Sequence, residues 1–211
     1  MTTAAVVLVA LASVFAVGNW WSRARDDRRV EYVTKPAVTA LLALAAVALD
    51  PSDPAMRWWF VAAFVLCLAG DVFLMLPQDL FVPGLASFLL GHVAFGVGFA
   101  VGGLDQPWVA AVTAVALVAL LAFVGRQVLV GARRRDPALA VPVAAYLFVI
   151  AAMAVLAGWH GNAWGLAGAG AFVVSDSILG FDRFVRALPW APVAIMVTYH
   201  AALFGLLFAL A

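Results

Sequence analysis

Eight stretches of mostly apolar residues, near 4–20, 33–49, 58–76, 84–103, 108–125, 138–157, 164–180 and 190–210, leave almost no chain for anything else. A helix needs about 17 to 25 such residues to cross the hydrocarbon of a bilayer. A soluble globule of this length could not hide so many apolar side chains, because it still needs polar residues to cover its surface. Composition agrees: of 211 residues, 67% are hydrophobic and 11% charged, and the mean hydropathy is +1.10. An ordinary soluble domain is roughly 45–50% apolar and about 25% charged. The expected fold is therefore all-α, a polytopic membrane helix bundle of about eight transmembrane helices, with residues 1–211 forming a single integral membrane domain.

The second stretch is the weakest, since its continuous apolar part begins only after Lys35 and Pro36. Proline is tolerated at a helix start, and a lysine stem can snorkel to the headgroups. The first stretch has no basic segment before it and is followed by Arg23, Arg25, Arg28 and Arg29. That pattern reads as a retained anchor rather than a cleaved signal peptide.

Lys and Arg fall unevenly among the connections. Residues 21–35 hold five, 126–137 hold four and 181–189 hold two, while the other side receives only Arg57. Eight spans put all the rich segments on one face, and the positive-inside rule then places both termini outside. Six spans, with two adjacent ones removed, is the competing count that preserves this separation. Cys67 is the single cysteine, which excludes an internal disulfide framework or a multi-cysteine metal site. Nothing suggests nucleic acid as a partner.

In this topology the third and seventh spans run towards the cytoplasm. Asp71 lies about one and a half turns from the inner end of one, and Ser175-Asp176-Ser177 lies at nearly the same depth in the other. Asp79 and Asp182-Arg183 are expected in the short loops that follow. The returning spans bring Ser87 and His92, and Thr198, Tyr199 and His200, towards mid-membrane, while Lys35 and Tyr146 come in from the cytoplasmic side. A polar cluster in the inner half of the bundle is the result.

An aspartate inside a span costs about 2.5–3.5 kcal/mol at the bilayer centre on insertion scales, so it usually faces a cavity and a function. The plainer alternative is that Asp71 and Asp176 reach the interface or bond neighbouring serines and backbone. His92 and His200 lack metal-ligand spacing, so hydrogen bonding or substrate contact is the expected role and no metal is predicted. No cofactor is implied, because the glycines occur without a GxxxxGK pattern. Arg133-Arg134-Arg135 reads as a topology signal that also meets anionic headgroups. The series Asp71, Asp79, His92 against Asp176, Asp182, His200 suggests a faint parallel 4+4 repeat.

The chain resembles the YhhN/TMEM86 family over nearly its whole length. The resemblance is carried by Thr34-Lys35-Pro36, by Ala69-Gly70-Asp71-Val72-Phe73-Leu74 with Phe88-Leu89-Leu90-Gly91-His92, by Tyr146 with Met153, and by Val174-Ser175-Asp176-Ser177 with Phe181-Asp182. One departure is Tyr199-His200-Ala201-Ala202-Leu203, where a Gln is expected at Ala202; it removes one polar contact and leaves the acidic pair untouched.

Characterised members of that family are lysoplasmalogenases, so the resemblance implies an ether hydrolase. Its substrate would be a lysophospholipid whose vinyl ether is cleaved to a fatty aldehyde and a glycerophospho-headgroup compound. The residues suit that chemistry, in which protonation of the outer alkene carbon gives an oxocarbenium ion that water attacks. One carboxyl, protonated, would be the general acid; the other, ionised, would stabilise the cation or activate water, as in glycosidases. Asp71 and Asp176 are the catalytic pair, with no assignment between the two roles. Lys35 or Arg183 would meet the phosphate, and His92, Tyr199 and Asp182 would orient water or the pair. Asp79, Ser87, Tyr146, Ser175 and His200 complete the expected surroundings.

A proton-coupled small-molecule transporter is the main rival, since buried Asp and His can carry protons and a 4+4 repeat can rock about a central site. The short outer loops and the one-sided polar cluster favour the enzyme. A purely structural membrane partner is a third reading, which four acidic positions at one depth disfavour. Eleven arginines against one lysine, with abundant alanine and valine, suggest a GC-rich bacterial genome and hence a bacterial cytoplasmic membrane. Oligomeric state leaves no trace in the sequence.

Overall fold

The computed structural model describes residues 1–51 and 53–211, and among these the ordered elements are all helical. Eight helices are long and apolar enough to cross a membrane: α1 (Thr3–Arg25), α2 (Arg28–Ala48), α3 (Pro54–Met75), α4 (Phe81–Val101), α5 (Pro107–Arg135), α6 (Pro137–His160), α7 (Ala163–Phe184) and α8 (Ala191–Phe208). This is the all-α, eight-helix membrane bundle that hydropathy predicts. Within α5 the five residues Leu121–Gly125 form a π turn, and α6 opens with a 3₁₀ turn at Pro137–Leu139.

Several helices reach past the expected ends, and at three of those ends the local reason is plain. The side chain of Asp27 accepts from the backbone N–H of Arg29 and Val30, so α2 starts at Arg28. Pro36 therefore lies inside the helix, where it removes the N–H that the Tyr32 carbonyl would otherwise accept. No proline interrupts Arg126–Arg135, and its last three arginines suit a helix C-terminus, so α5 continues until Asp136-Pro137 stops it. α7 likewise runs on to Phe184, which places Asp182 and Arg183 in its final turn rather than in a loop.

Packing follows sequential hairpins, α1–α2, α3–α4, α5–α6 and α7–α8, and these are cross-linked by α2 against α3, α4 against α6, and α8 against α1 and α2. Six helices, α2, α3, α4, α6, α7 and α8, surround the interior. α1 packs outside against α2 and α8, and α5 outside against α6 and α7. α4 and α8 are the most enclosed, whereas α1 and α5 are the least.

Phenylalanines fill the joint between α3 and α4, with Phe60 edge-on to Phe95 and Phe99 at 5.0 and 5.1 Å and Phe64 edge-on to Phe95. Between α7 and α8 the backbones themselves meet: a Cβ on Gly205 would lie 2.8 Å from the Gly168 Cα. Small residues permit such approach where lipid supplies no hydrophobic drive between helices.

The exterior is apolar, as lipid requires. Val14, Val115, Val118, Phe123, Val141 and Phe148 are all exposed on helix flanks. Exposed Trp58, Trp59, Trp108, Trp159 and Trp164 collect at one set of helix ends, and Trp21 and Trp190 at the other, as in interfacial aromatic belts. The second set of ends also carries most of the arginines and serves below as the arginine-rich face.

Candidate active site

Towards the arginine-rich face, neighbouring hydroxyl and nitrogen donors hold two carboxyl groups. Asp71 lies one turn before the end of α3 and is fully buried. Thr39 of α2 donates to its Oδ2 at 2.6 Å and Tyr199 of α8 donates to the same oxygen at 2.8 Å. Lys35, one turn before Thr39 on α2, places Nζ 3.5 Å from Oδ1. Among the described residues no group makes a well-formed hydrogen bond to Oδ1.

Asp176 lies two turns before the end of α7, and its side chain is 13% exposed. Tyr146 of α6 donates a short hydrogen bond to Oδ2, and His92 of α4 places Nε2 3.4 Å from the same oxygen. His92 Nε2 is also 2.9 Å from the Tyr146 hydroxyl oxygen. Since that hydroxyl spends its hydrogen on Asp176, His92 Nε2–H is the donor to it, which fixes the imidazole proton on Nε2. Nδ1 of His92 is buried without a partner among the described residues.

An aromatic wall joins the two centres. The Phe172 ring lies 4.5 Å from His92 and 5.4 Å from Tyr199, both nearly edge-on, and Phe88 packs 5.8 Å from Tyr199. Both carboxyls line one cavity of about 220 Å³. Lys35, Tyr146, Tyr199, Ser175 and Ser177 share its polar part, with Arg23 and Glu31 beside them. Its apolar part is walled by α5, from Leu117 through the π turn to Val128, and by Val143, Leu147 and Ile150 of α6. A π turn inside an α-helix is uncommon and is often found at functional sites; this one borders the cavity.

The remaining residues singled out by sequence tie helices together or stand away from the cavity. Ser87 donates to the Leu66 carbonyl and ties α4 to α3, while Ser175 donates to the Ile195 carbonyl and ties α7 to α8. Trp20 of α1 donates to His200 Nδ1 at 3.0 Å, and His200 lies outside the cavity lining. Arg183 pairs with Asp79 at 2.8 Å and stacks 4.0 Å over Phe81. Asp182 accepts from the Leu188 N–H, and Asp79 takes a positive φ of 49° in the α3–α4 connection. These three residues organise the arginine-rich face; none lines the cavity.

Sequence reading passed over Thr39, Arg23 and Glu31. Thr39 stood in plain view as a polar residue at i+4 from Lys35, the spacing that puts both on one helix face. Arg23 and Glu31 sit in a charge-rich connection, where topology accounts for them and masks any other role. No group of His, Cys, Asp and Glu with metal-binding geometry occurs among the described residues.

Residues 30–210 match the family model described as the YhhN family. The human protein named lysoplasmalogenase TMEM86B is 36% identical over 143 residues, covering 66% of this chain and 58% of its own. A Mycobacterium bovis protein named lysoplasmalogenase is 34% identical over 174 residues, covering 80% of this chain and 65% of its own. The rat lysoplasmalogenase TMEM86B is 30% identical over 171 residues, covering 80% of this chain and 66% of its own. The chain thus spans about three fifths to two thirds of the length of these relatives. No solved structure matches it.

Proposed function

The chain belongs to the YhhN family, and from that membership we propose that it hydrolyses the vinyl ether bond of a lysophospholipid, releasing a fatty aldehyde and a glycerophospho-headgroup compound. The observation that carries the reading is the pair of partnered carboxyls, Asp71 and Asp176, on one cavity whose other end is apolar. A single-chain lipid has that same division: a long hydrocarbon, a reactive ether, then a polar head.

The two surroundings suggest a division of labour. Asp71, with Lys35 beside it and two hydroxyls donating to Oδ2, takes the ionised role, stabilising the oxocarbenium ion or activating water. Asp176 takes the general acid role and delivers its proton to the outer alkene carbon. The alkene electron pair forms the new C–H bond, and the ether oxygen supplies the electrons for the oxocarbenium ion. Water adds to the inner alkene carbon, the one bound to the ether oxygen, and loses a proton to a carboxylate. The hemiacetal then collapses, breaking its C–O bond to the glycerol, to give the aldehyde and a glycerol hydroxyl. Tyr146 and His92 hold Asp176 in place and supply a path by which its proton returns.

Support for a parallel 4+4 repeat comes from the same contacts. Asp71 on α3 is held from α2 and α8, and Asp176 on α7 from α6 and α4, the correspondence a four-helix offset requires. The proposed location is a bacterial cytoplasmic membrane, with the arginine-rich face inside and both termini outside.

The test is aldehyde release by detergent-purified protein from lysoplasmenylethanolamine, beside fatty-acid release from the ester-linked counterpart. Aldehyde from the vinyl ether alone, absent in folded Asp71→Asn and Asp176→Asn, is the expected result. No turnover by folded wild type would overturn the proposal and bring proton-coupled transport forward.

A further inference from the structure

Phe184, Ser177 and Gly170 follow one another at seven-residue steps, close to two helical turns each, and so share one flank of α7. Their surroundings change along it. At the inner end a Cβ on Gly131 of α5 would run into the Phe184 carbonyl, and one on Gly180 would lie 3.0 Å from the Val128 side chain, so α5 and α7 touch closely there. In the middle Ser177 lines the cavity, as do Leu121 and Val124 of α5. At the outer end Gly170 is exposed, and a Cβ on it would meet nothing within 4 Å among the described residues. The outer part of α5, Pro107–Leu120, packs along α6 instead, where a Cβ on Gly158 would lie 2.8 Å from the Thr113 hydroxyl. α5 thus crosses from α7 to α6, with the π turn between the two contacts, and leaves a seam that opens outward from the cavity.

The enclosed space is short for a membrane lipid's chain. On α7 the lining ends at Val173, three residues or about 4.5 Å outward of Asp176, and on α6 at Ala151, five residues or about 7.5 Å outward of Tyr146. One leaflet's share of the bilayer hydrocarbon is about 15 Å. We infer that the seam between α5 and α7 is a lateral portal, through which the distal part of the substrate's alkenyl chain leaves the bundle and stays in the bilayer. The inference rests on the hydrolase reading for the position of the ether. Lipid tails are as apolar as leucine side chains, so the distal chain gains no transfer energy by being enclosed. The protein then reads the methylenes nearest the ether and is indifferent to those beyond, and the aldehyde leaves by the same seam without crossing water.

The experiment compares lysoplasmenylethanolamines with a hexadecenyl chain, a hexenyl chain, a long chain ending in pyrene and a long chain methyl-branched beside the ether. Wild type should cleave the pyrene lipid with the kcat/KM of the plain hexadecenyl one. The branched lipid should fall about tenfold, the low end for a misplaced methyl group in an apolar pocket. Gly170→Trp fills the outer seam from open space and should lower kcat/KM for the hexadecenyl lipid by about tenfold as well, while the hexenyl lipid, whose chain ends inside the cavity, keeps its value. Phe148→Trp, on the exposed flank of α6, should change neither. Rejection of the pyrene lipid, or the same behaviour in Gly170→Trp and Phe148→Trp, would mean a closed pocket and overturn the inference. Should wild type cleave none of these lipids, the hydrolase reading fails and the portal is decided by photo-crosslinking. The probe is the saturated hexadecyl ether analogue with a diazirine at its chain end. Cross-links at Gly170 or at exposed Val174 uphold the portal; cross-links at Ile150 or Val173 within the cavity, or none on the protein, end it.

Discussion

Asp71 is closed off completely and has a lysine beside it, whereas Asp176 keeps 13% of its side chain exposed and has a tyrosine and a histidine. Both take their strongest hydrogen bonds on Oδ2, so the difference between them is one of charge and access more than of geometry. The carboxyl with a fixed cation and two hydroxyl donors is the one given the ionised role in the proposed mechanism. The carboxyl on the open side, next to a tyrosine and a histidine, is the one given the acid role. The proposal gives these two similar cradles opposite halves of one acid–base step, and the variants below are chosen to break that contrast.

The largest effects belong to the carboxyls. Asp71→Asn and Asp176→Asn should each lower kcat by about 10²–10⁴-fold, the usual contribution of a positioned acid or base, measured as aldehyde release. If one of them retained near-native turnover, the two-carboxyl scheme would collapse to a single-residue mechanism. Next comes Lys35→Met, which leaves Asp71 buried without its cation. Stranding one partner of a buried pair costs about 3–5 kcal/mol, and a lowered melting midpoint in detergent should register it. Unchanged thermal stability would show that Asp71 does not rely on Lys35.

Tyr199→Phe and Tyr146→Phe sharpen the contrast further. A hydrogen bond to a charged group contributes about 1.5–3 kcal/mol and one to a neutral group about 0.5–1.5 kcal/mol. With Asp71 in the proposed ionised role and Asp176 in the proposed acid role, removal of the Tyr199 hydroxyl should therefore cost more in kcat than removal of the Tyr146 hydroxyl. The reverse order would exchange the two roles. The smallest effect is expected at Asp79→Asn, where the partner Arg183 and the carboxyl both meet solvent and the pair contributes about 0–1 kcal/mol. A large loss of turnover there would bring the arginine-rich loops into the chemistry.

Hydropathy made the eight helices legible because the requirement of a lipid solvent is met by long apolar runs, and those runs survive in the sequence unmixed. Asp71, Asp176, Lys35, Tyr146, Tyr199 and His92 were legible for the complementary reason: each is a costly group in an apolar span, and all converge on or beside one cavity. Helix ends were harder. The Arg126–Arg135 segment has the charge of a loop and the propensity of a helix, and hydropathy registers only the first. His200 looked like a companion of the carboxyls, yet its hydrogen-bond partner is Trp20, a pairing across 180 residues that no periodicity reveals. Thr39 escaped because a threonine in an apolar helix most often bonds its own backbone, as Thr198 does to Ala194.

The length of α5 reaches beyond the cavity. At 1.5 Å per residue its 29 residues rise about 44 Å, against a hydrocarbon slab of roughly 30 Å. Such a helix either leans or carries its arginine end clear of the acyl chains, and the choice depends on how thick the surrounding bilayer is. The stretch Leu117 to Val128 of that same helix walls the apolar side of the cavity. Membrane elasticity thereby becomes a partner in shaping the site, and bilayers of graded acyl length would act on this protein much as a mechanical load acts on a spring.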